Sequence, residues 1–231
     1  MTRRTYVTVG ALAGLIAAAL IAASILGAQG PEPTQAHRVS GGDTEALLDG
    51  IPQQGGALGR PDAPVTLVEF ADLQCPYCAR WSQLAFGEIV HDYVRTGKVR
   101  IVFGGLSFIG PDSDEALRFA YAAGDQDKLW NVVHLLYANQ GPENSGWVSD
   151  ELLRGIGAEI PGFRTNRALD ERTSPRVEQA IASAAVLAER HEVSGTPTFA
   201  AGRTGGMLAV LPVQSLDPEG VRPLLDQLLA R

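Results

Sequence analysis

Cysteine is scarce in this chain of 231 residues, which contains only Cys75 and Cys78, with Pro76 and Tyr77 between them. So few cysteines exclude a small scaffold held together by several disulfides. No second cysteine pair or spaced histidine pair accompanies them, so we predict no metal site, and we predict no cofactor. A purely structural bridge across so short a loop would remove only about 2 kcal/mol of chain entropy. We therefore interpret the pair as redox-active, with a structural bridge or half of a metal site as the alternatives.

Positive charge is also limited. The chain has 19 lysines and arginines against 26 aspartates and glutamates, and its formal net charge is −7. No segment is rich in lysine or arginine, which argues against nucleic acid as a partner. The hydrophobic fraction of 45% suits an ordinary packed core. The length allows one sizeable domain, or one domain with an insertion.

Charge is missing altogether from residues 6–28, a run long enough to cross a bilayer, which takes about 20 apolar residues. Arg3 and Arg4 precede it, which predicts a cytoplasmic N-terminus and also weakly matches a twin-arginine signal. A cleaved signal peptide is the alternative, but its apolar core normally spans about 7–15 residues, and 26–28 is a poor cleavage site. Residues 1–28 are thus predicted to be a membrane anchor, or a signal if cleaved.

The rest of the chain would then lie outside the cytoplasm, where disulfides persist. We expect a single-pass protein of the cell membrane, or a secreted one if the N-terminus is removed. Residues 29–42 are rich in glycine, proline, glutamine and serine, and we predict a linker over 29–50 with a short helix near 44–48.

Residues 51–231 alternate between strand and helix patterns, which predicts an α/β fold. Strands are predicted at 65–70 and 99–103. A hairpin of two further strands, 198–201 and 207–211, follows much later in the chain. The stretch of about 111–190 between them is all-helical, so a helical insertion interrupts the sheet, and a last helix begins near Pro223.

The cysteine pair follows the first of these strands. Cys75 stands where the N-cap of a helix would be, and Pro76 occupies the first helical turn, where proline is best tolerated. Cys75 would therefore lie at the positive end of the helix dipole, beside unpaired backbone N–H groups. This setting favours the thiolate, which is the species that attacks and leaves in disulfide exchange.

Two further features lie away from the cysteines in sequence. Glu69 comes six residues before Cys75, inside the apolar strand. If it is buried, its pKa should be raised, whereas at a sheet edge it would simply reach solvent. Pro197 opens the third strand within Gly195-Thr196-Pro197-Thr198-Phe199, where a missing ladder hydrogen bond costs nothing.

Together, Glu69-Phe70, Cys75-Pro76-Tyr77-Cys78 and Gly195-Thr196-Pro197-Thr198-Phe199 resemble the DsbA-like group of the thioredoxin superfamily. The order of the elements is similar too, and residues 58–78 are especially similar to membrane-anchored or secreted members. The resemblance covers about residues 51–231. It implies a thioredoxin-like α/β fold with an inserted all-helical domain.

The resemblance also implies roles for individual residues. Cys75 matches the exposed nucleophile and Cys78 the buried resolving cysteine. Glu69 matches a buried acid thought to relay a proton for the resolving cysteine. Pro197 matches a cis-proline beside the cysteine pair, and Thr196 matches the residue whose backbone pairs with the substrate chain.

Pro76 and Tyr77 form the variable dipeptide of the family, which tunes the reduction potential. Cys-Pro-Tyr-Cys also occurs in glutaredoxins, so the dipeptide leaves the redox direction open. We expect an exported thiol–disulfide oxidoreductase that oxidises protein thiols, with a membrane redox partner that resets its cysteines. A reductase or isomerase with the same residues is one alternative, and a non-catalytic, membrane-tethered binding module is the other.

Overall fold

The computed structural model describes residues 40–230, and every structural statement below concerns this part of the chain. The predicted anchor over 6–28 and the first residues of the predicted linker lie outside the described residues. Within residues 40–230, none of the helices has both the length and the apolar character needed to cross a bilayer.

The first described element is helix α1, Gly41–Leu48, which begins inside the segment predicted as a linker. Ser40 caps it: the Ser40 side chain accepts the backbone N–H of Asp43, and the Asp43 side chain accepts the backbone N–H of Ser40. Such a reciprocal capping box satisfies donors that a helix start leaves unpaired. Thr44 and Leu48 are buried, so α1 is part of the folded domain.

A mixed sheet of six strands forms the centre of the domain, in the order β1-β2-β4-β3-β5-β6. β3 is parallel to β4 and antiparallel to β5, and all its residues are buried. The strands are β1 Gln53–Gln54, β2 Ala57–Leu58, β3 Val65–Asp72, β4 Val99–Leu106, β5 Thr198–Arg203 and β6 Ala209–Val210. The predicted strands at 65–70, 99–103 and 198–201 are confirmed, and this is the predicted α/β, thioredoxin-like architecture.

The last strand is shorter than predicted. Only Ala209–Val210 pairs with β5, whereas Met207, predicted to begin the strand, is 96% exposed. The tight turn at Gly205-Gly206 and Pro212 just beyond the pair leave little room for regular pairing.

Five helices between β4 and β5 form the predicted insertion, and they occupy the predicted range. They are α3 Pro111–Gly124, α4 Leu129–Ala138, α5 Asp150–Ala158, α6 Thr165–Asp170 and α7 Pro175–Arg190. α3 packs closely on β4, because a Cβ at Gly105 would stand 2.3 Å from the Leu117 side chain. The final helix, α8 (Arg222–Leu229), takes Pro223 in its first turn, as the sequence predicts.

The helix after β3, α2, begins at Pro76, runs to Val94 and contains two π-helical turns. Pro76–Trp81 is α-helical, Ser82–Phe86 forms a π-helical turn, Gly87–Ile89 is α-helical again, and Val90–Val94 is a second π turn. Because β3 and β4 are parallel, their carboxyl ends share one edge of the sheet, with Asp72 opposite Leu106. The start of α2 and the start of the helical insertion therefore meet at that edge.

Candidate active site

Cys75 lies at the tip of α2, as the sequence predicts. It is the N-cap residue, with φ −69° and ψ 119°, and Pro76 follows in the first turn. Its thiol lies 3.3 Å from the carbonyl oxygen of Thr196, to which it donates a hydrogen bond. Both cysteines are free thiols in this structure, so the structure shows the reduced form of the pair.

The surroundings of Cys75 favour its thiolate. A hydrogen bond from Cys78 is the largest influence, and it lowers the pKa of Cys75 to about 6 against the opposing effect of partial burial. Hydrogen bonds from the Thr196 side chain and from the backbone N–H groups of Cys78 and Tyr77 lower it further. The helix tip thus holds an anion through several donors at once.

Cys78 has the opposite environment, although it is only one helical turn away. It is fully buried, and desolvation raises the pKa of its thiol well above the ordinary value. Hydrogen bonding and charge at Cys75 raise this pKa too, because a second thiolate beside the first would be repelled. One sulfur is therefore ready to react near neutral pH, and the other stays protonated.

Glu69 is buried at the centre of the sheet and not at its edge. In the sheet, Glu69 pairs with Phe103 of β4 on one side and with Phe199 of β5 on the other, and it is only 2% exposed. Desolvation raises the pKa of its carboxyl to about 8. The indole N–H of Trp81 lowers it slightly, although that N–H has no partner in hydrogen-bond geometry. Glu69 also contributes to the raised pKa of Cys78, which shows that the two groups influence each other.

The segment that opens β5 lies against the helix tip. The Thr196–Pro197 peptide bond is cis, as the resemblance implies, and the Thr196 carbonyl contacts the Cys75 thiol. Thr196 and Pro197 are partly exposed, and Tyr77 is 62% exposed on the other side of Cys75. The structure thus brings all the predicted site residues to one place. Cys75 itself is only 5% exposed, so the exposed nucleophile that the resemblance implied is wrong for this structure: the Thr196 carbonyl lies over its sulfur, and the exposed surface is that of its neighbours.

Asp72 is a buried carboxylate that the sequence did not single out. It is fully buried, and its two oxygens accept four hydrogen bonds. The donors are the backbone N–H groups of Gln74, Phe108 and Ile109 and the hydroxyl of Ser113. The hydrogen bond from the backbone N–H two residues later closes a turn that aspartate commonly forms. This preference was the only local sequence signal for a structural role of Asp72. The other donors are distant in sequence and could not be foreseen.

Gln74, the residue directly before Cys75, was also missed. It is 1% exposed, and its amide is fully hydrogen-bonded. Its nitrogen donates to Ser113 and to the Asn144 side chain, and its oxygen accepts from the Asn144 backbone and the Trp147 indole. Every one of these partners belongs to the helical insertion.

Residues 40–230 contain no cluster of histidine, cysteine, aspartate or glutamate side chains that could hold a metal ion. The reactive groups that the structure does place here are the two sulfur atoms. A low-pKa thiol at a helix tip, a shielded second thiol and an adjacent cis-proline on this sheet define a thiol–disulfide oxidoreductase.

Comparison with known proteins agrees with that class. A family model described as "Thioredoxin" matches residues 53–206. The Bacillus anthracis protein named "Probable disulfide bond formation protein D" is 31% identical over 145 residues, which is 62% of this chain and 67% of that protein. The chain therefore belongs to the thioredoxin family, and within it to the DsbA-like thiol–disulfide oxidoreductases.

Solved structures show the same fold. The crystal structure of oxidised BdbD from Bacillus subtilis matches with a TM-score of 0.66 and 21% identity, over 78% of this chain and 98% of that one. A thioredoxin-like oxidoreductase from Silicibacter pomeroyi gives a TM-score of 0.58 and 25% identity, over 79% of this chain and 95% of that one. A Na⁺/H⁺ antiporter of Salinispora arenicola is 31% identical over 173 residues, but these are only 25% of its length.

Proposed function

We propose that this protein introduces disulfides into proteins outside the cytoplasm, by exchange through the Cys75–Cys78 pair. The observation that supports this direction is the contrast between the two thiols, with the pKa of Cys75 at about 6 and that of Cys78 well above its ordinary value. A stabilised Cys75 thiolate favours the reduced form of the protein, so the oxidised form readily gives its disulfide to other thiols.

The reaction begins with the Cys75–Cys78 disulfide. A substrate thiolate attacks the sulfur of Cys75, the bond between the two cysteines breaks, and Cys78 leaves with the electron pair. A second substrate thiolate then attacks the substrate sulfur of the mixed disulfide and expels Cys75 as a thiolate. The substrate has lost two electrons and gained a disulfide, and the pair in this protein is reduced to a thiolate and a thiol.

Glu69 supplies the proton that Cys78 needs when it leaves. With a pKa of about 8, the Glu69 carboxyl is mostly protonated near neutral pH, and the leaving Cys78 thiolate is a much stronger base in its buried position. The proton passes from Glu69 to Cys78 as the disulfide opens, and returns when the disulfide forms again.

The substrate binds beside Cys75, which is only 5% exposed in this structure, over the partly exposed residues that flank it. The backbone of Thr196, whose carbonyl lies against the Cys75 thiol, pairs with the substrate chain as an added strand would. Pro76 and Tyr77 are both exposed at the helix tip and contact the substrate from the other side.

An oxidation assay tests the direction. The oxidised protein should convert a reduced two-cysteine peptide to its disulfide stoichiometrically, and Cys75→Ser should be inactive. Faster reduction of insulin than oxidation of the peptide would favour a reductase or isomerase. Failure in both assays would favour a non-catalytic binding module.

The sequence of residues 1–39 supports a proposal about where the protein is located. We propose that 6–28 anchors the chain in the cell membrane with the catalytic domain outside, where a membrane redox partner takes two electrons from the reduced pair and restores the disulfide. N-terminal sequencing of the membrane fraction tests the anchor. A mature protein that begins between residues 28 and 39 would instead be secreted.

A further inference from the structure

One side chain of the helical insertion, Gln140, binds the backbone on both sides of Gln74. The amide nitrogen of Gln140 donates to the carbonyl of Leu73 at 2.9 Å and to the carbonyl of Cys75 at 3.2 Å. These two carbonyls lie on either side of Gln74. One amide group therefore links the loop before the nucleophile to the nucleophile itself.

Gln140 is itself fixed by its surroundings. It follows α4, and the next residue, Gly141, packs so closely on Trp147 that a Cβ there would stand 2.6 Å from the Trp147 Cβ. The indole of Trp147 in turn donates to the side chain of Gln74. The segment that carries Gln140 thus lies directly over the loop, and the amide is directed at the two carbonyls.

We propose that Gln140 is a positioning residue, which holds the backbone of Cys75 so that its sulfur stays within reach of the donors at the helix tip. The inference rests on the proposed role of Cys75 as nucleophile. It goes beyond that role, because it assigns to the helical insertion a direct part in setting the reactivity of the cysteine.

The pKa of Cys75 depends on how its sulfur is oriented toward several hydrogen-bond donors. The thiolate of Cys75 depends on the backbone N–H groups of Tyr77 and Cys78 and on the side chains of Cys78 and Thr196. Hydrogen bonds weaken steeply when their angles deteriorate. The Cys75 carbonyl has a helical partner, the N–H of Ala79 at 3.1 Å, but nothing else described here holds the carbonyl of Leu73. Without Gln140 the Leu73 carbonyl loses this partner and the Cys75 carbonyl keeps only its helical one, so the backbone at the sulfur is less constrained, although the Gln74 side chain stays bound to the insertion.

Charge does not explain such an effect, because the Gln140 amide is neutral. The titratable groups that face the cysteine pair are Glu69 of β3 and Tyr137 of α4, in addition to the two thiols. Neither the Glu69 carboxyl nor the Tyr137 hydroxyl, which donates to the carbonyl of Asp72, forms a hydrogen bond to the Gln140 side chain. A change in Cys75 after replacement of Gln140 must therefore come from position.

The test replaces Gln140 with methionine, which keeps the length of the side chain and removes its hydrogen bonds. The matched control is Gln53→Met. Gln53 is likewise partly buried, and it joins the sheet to the insertion through Asn131 and Trp130, at the far edge from the cysteines. In both variants a glutamine side chain is replaced, and two hydrogen bonds that it made are lost.

Two quantities are measured on each folded variant: the pKa of Cys75 from thiolate absorbance, and the equilibrium constant with glutathione. We expect Gln140→Met to raise the pKa of Cys75 and to make the disulfide less oxidising, by roughly threefold or more in that constant. Gln53→Met should change neither. Gln140→Glu, which removes the donor and adds a negative charge, should give a larger change in the same direction.

Unchanged values in Gln140→Met, or equal changes in Gln140→Met and Gln53→Met, would overturn the inference. These outcomes are distinct from a failure of the proposed function. That failure would appear in the parent protein, as a Cys75 that is not alkylated faster than Cys78 at neutral pH.

Discussion

Two neighbouring regions of the site each contain one cysteine and one buried carboxyl group: the tip of α2, and the interior one helical turn deeper. The two regions have opposite effects on negative charge. At the tip, Cys75 is surrounded by donors, and the nearby Asp72 carboxylate accepts four hydrogen bonds. In the interior, Cys78 is desolvated, and burial raises the pKa of the Glu69 carboxyl to about 8. Negative charge is stabilised in the first region and opposed in the second.

The two carboxyl groups show how differently burial can act on neighbouring acidic residues. Asp72 and Glu69 lie on the same strand, three residues apart, and both are buried. Both oxygens of Asp72 accept hydrogen bonds that connect β3 to the insertion, so this side chain stabilises the fold. Glu69 is opposed as an anion by desolvation, which raises the pKa of its carboxyl, and shifts of this kind are more frequent at reactive sites than elsewhere.

The comparison is tested most strongly by exchanging one cysteine at a time for serine. Cys78→Ser should accumulate partner proteins joined to Cys75, because no buried thiol remains to resolve the mixed disulfide by attack on Cys75. Cys75→Ser should accumulate few, since Cys78 is fully buried. Non-reducing gels of cell extracts show the adducts. Equal trapping by both variants, or trapping by Cys75→Ser alone, would show that the assigned roles are wrong.

Replacement of Asp72 should damage the fold. Asp72→Asn puts an amide donor among four donor groups, so at least two of the present hydrogen bonds are lost in a buried position. We expect the free energy of unfolding to fall by about 2–4 kcal/mol. Denaturant unfolding measures it. Asp112→Asn is the control, because Asp112 accepts only two such bonds, from Gly146 and Trp147, and should cost less.

Replacement of Glu69 should have the opposite effect on stability. The pKa of the Glu69 carboxyl is raised from 4.5 to about 8 in the folded protein, so folding takes up a proton between these two pH values. The parent therefore loses stability as the pH rises through this range. Glu69→Gln removes the loss, so its advantage over the parent should be near zero at acid pH and should grow to a few kcal/mol near pH 8.

The same variant should react more slowly. Without the Glu69 carboxyl, Cys78 has no adjacent group to give it a proton when the disulfide opens. The rate of peptide oxidation by Glu69→Gln should fall below that of the parent, and its dependence on pH should become weaker. Identical rates across the neutral and mildly alkaline range would leave Glu69 with no part in the reaction.

The sequence predicted the fold and the chemistry of the site better than it predicted what holds the site together. Apolar runs and helical periodicity located β3, β4, β5 and the insertion, because burial imposes those patterns locally. The placement of Cys75 at a helix start followed from Pro76. The contacts of Gln74 with Ser113 and Asn144 left no local pattern, since they join segments that are far apart in the chain. Their assignment required the structure.

The most direct test of the account is the titration of the two thiols in the reduced protein, followed by thiolate absorbance in the parent and in Cys75→Ser. We predict one transition with a midpoint of about 6, which belongs to Cys75 and disappears in Cys75→Ser. Cys78 should remain protonated to well above 9. A Cys75 midpoint near 9, or a single transition shared by both thiols, would contradict the division of roles between the helix tip and the interior.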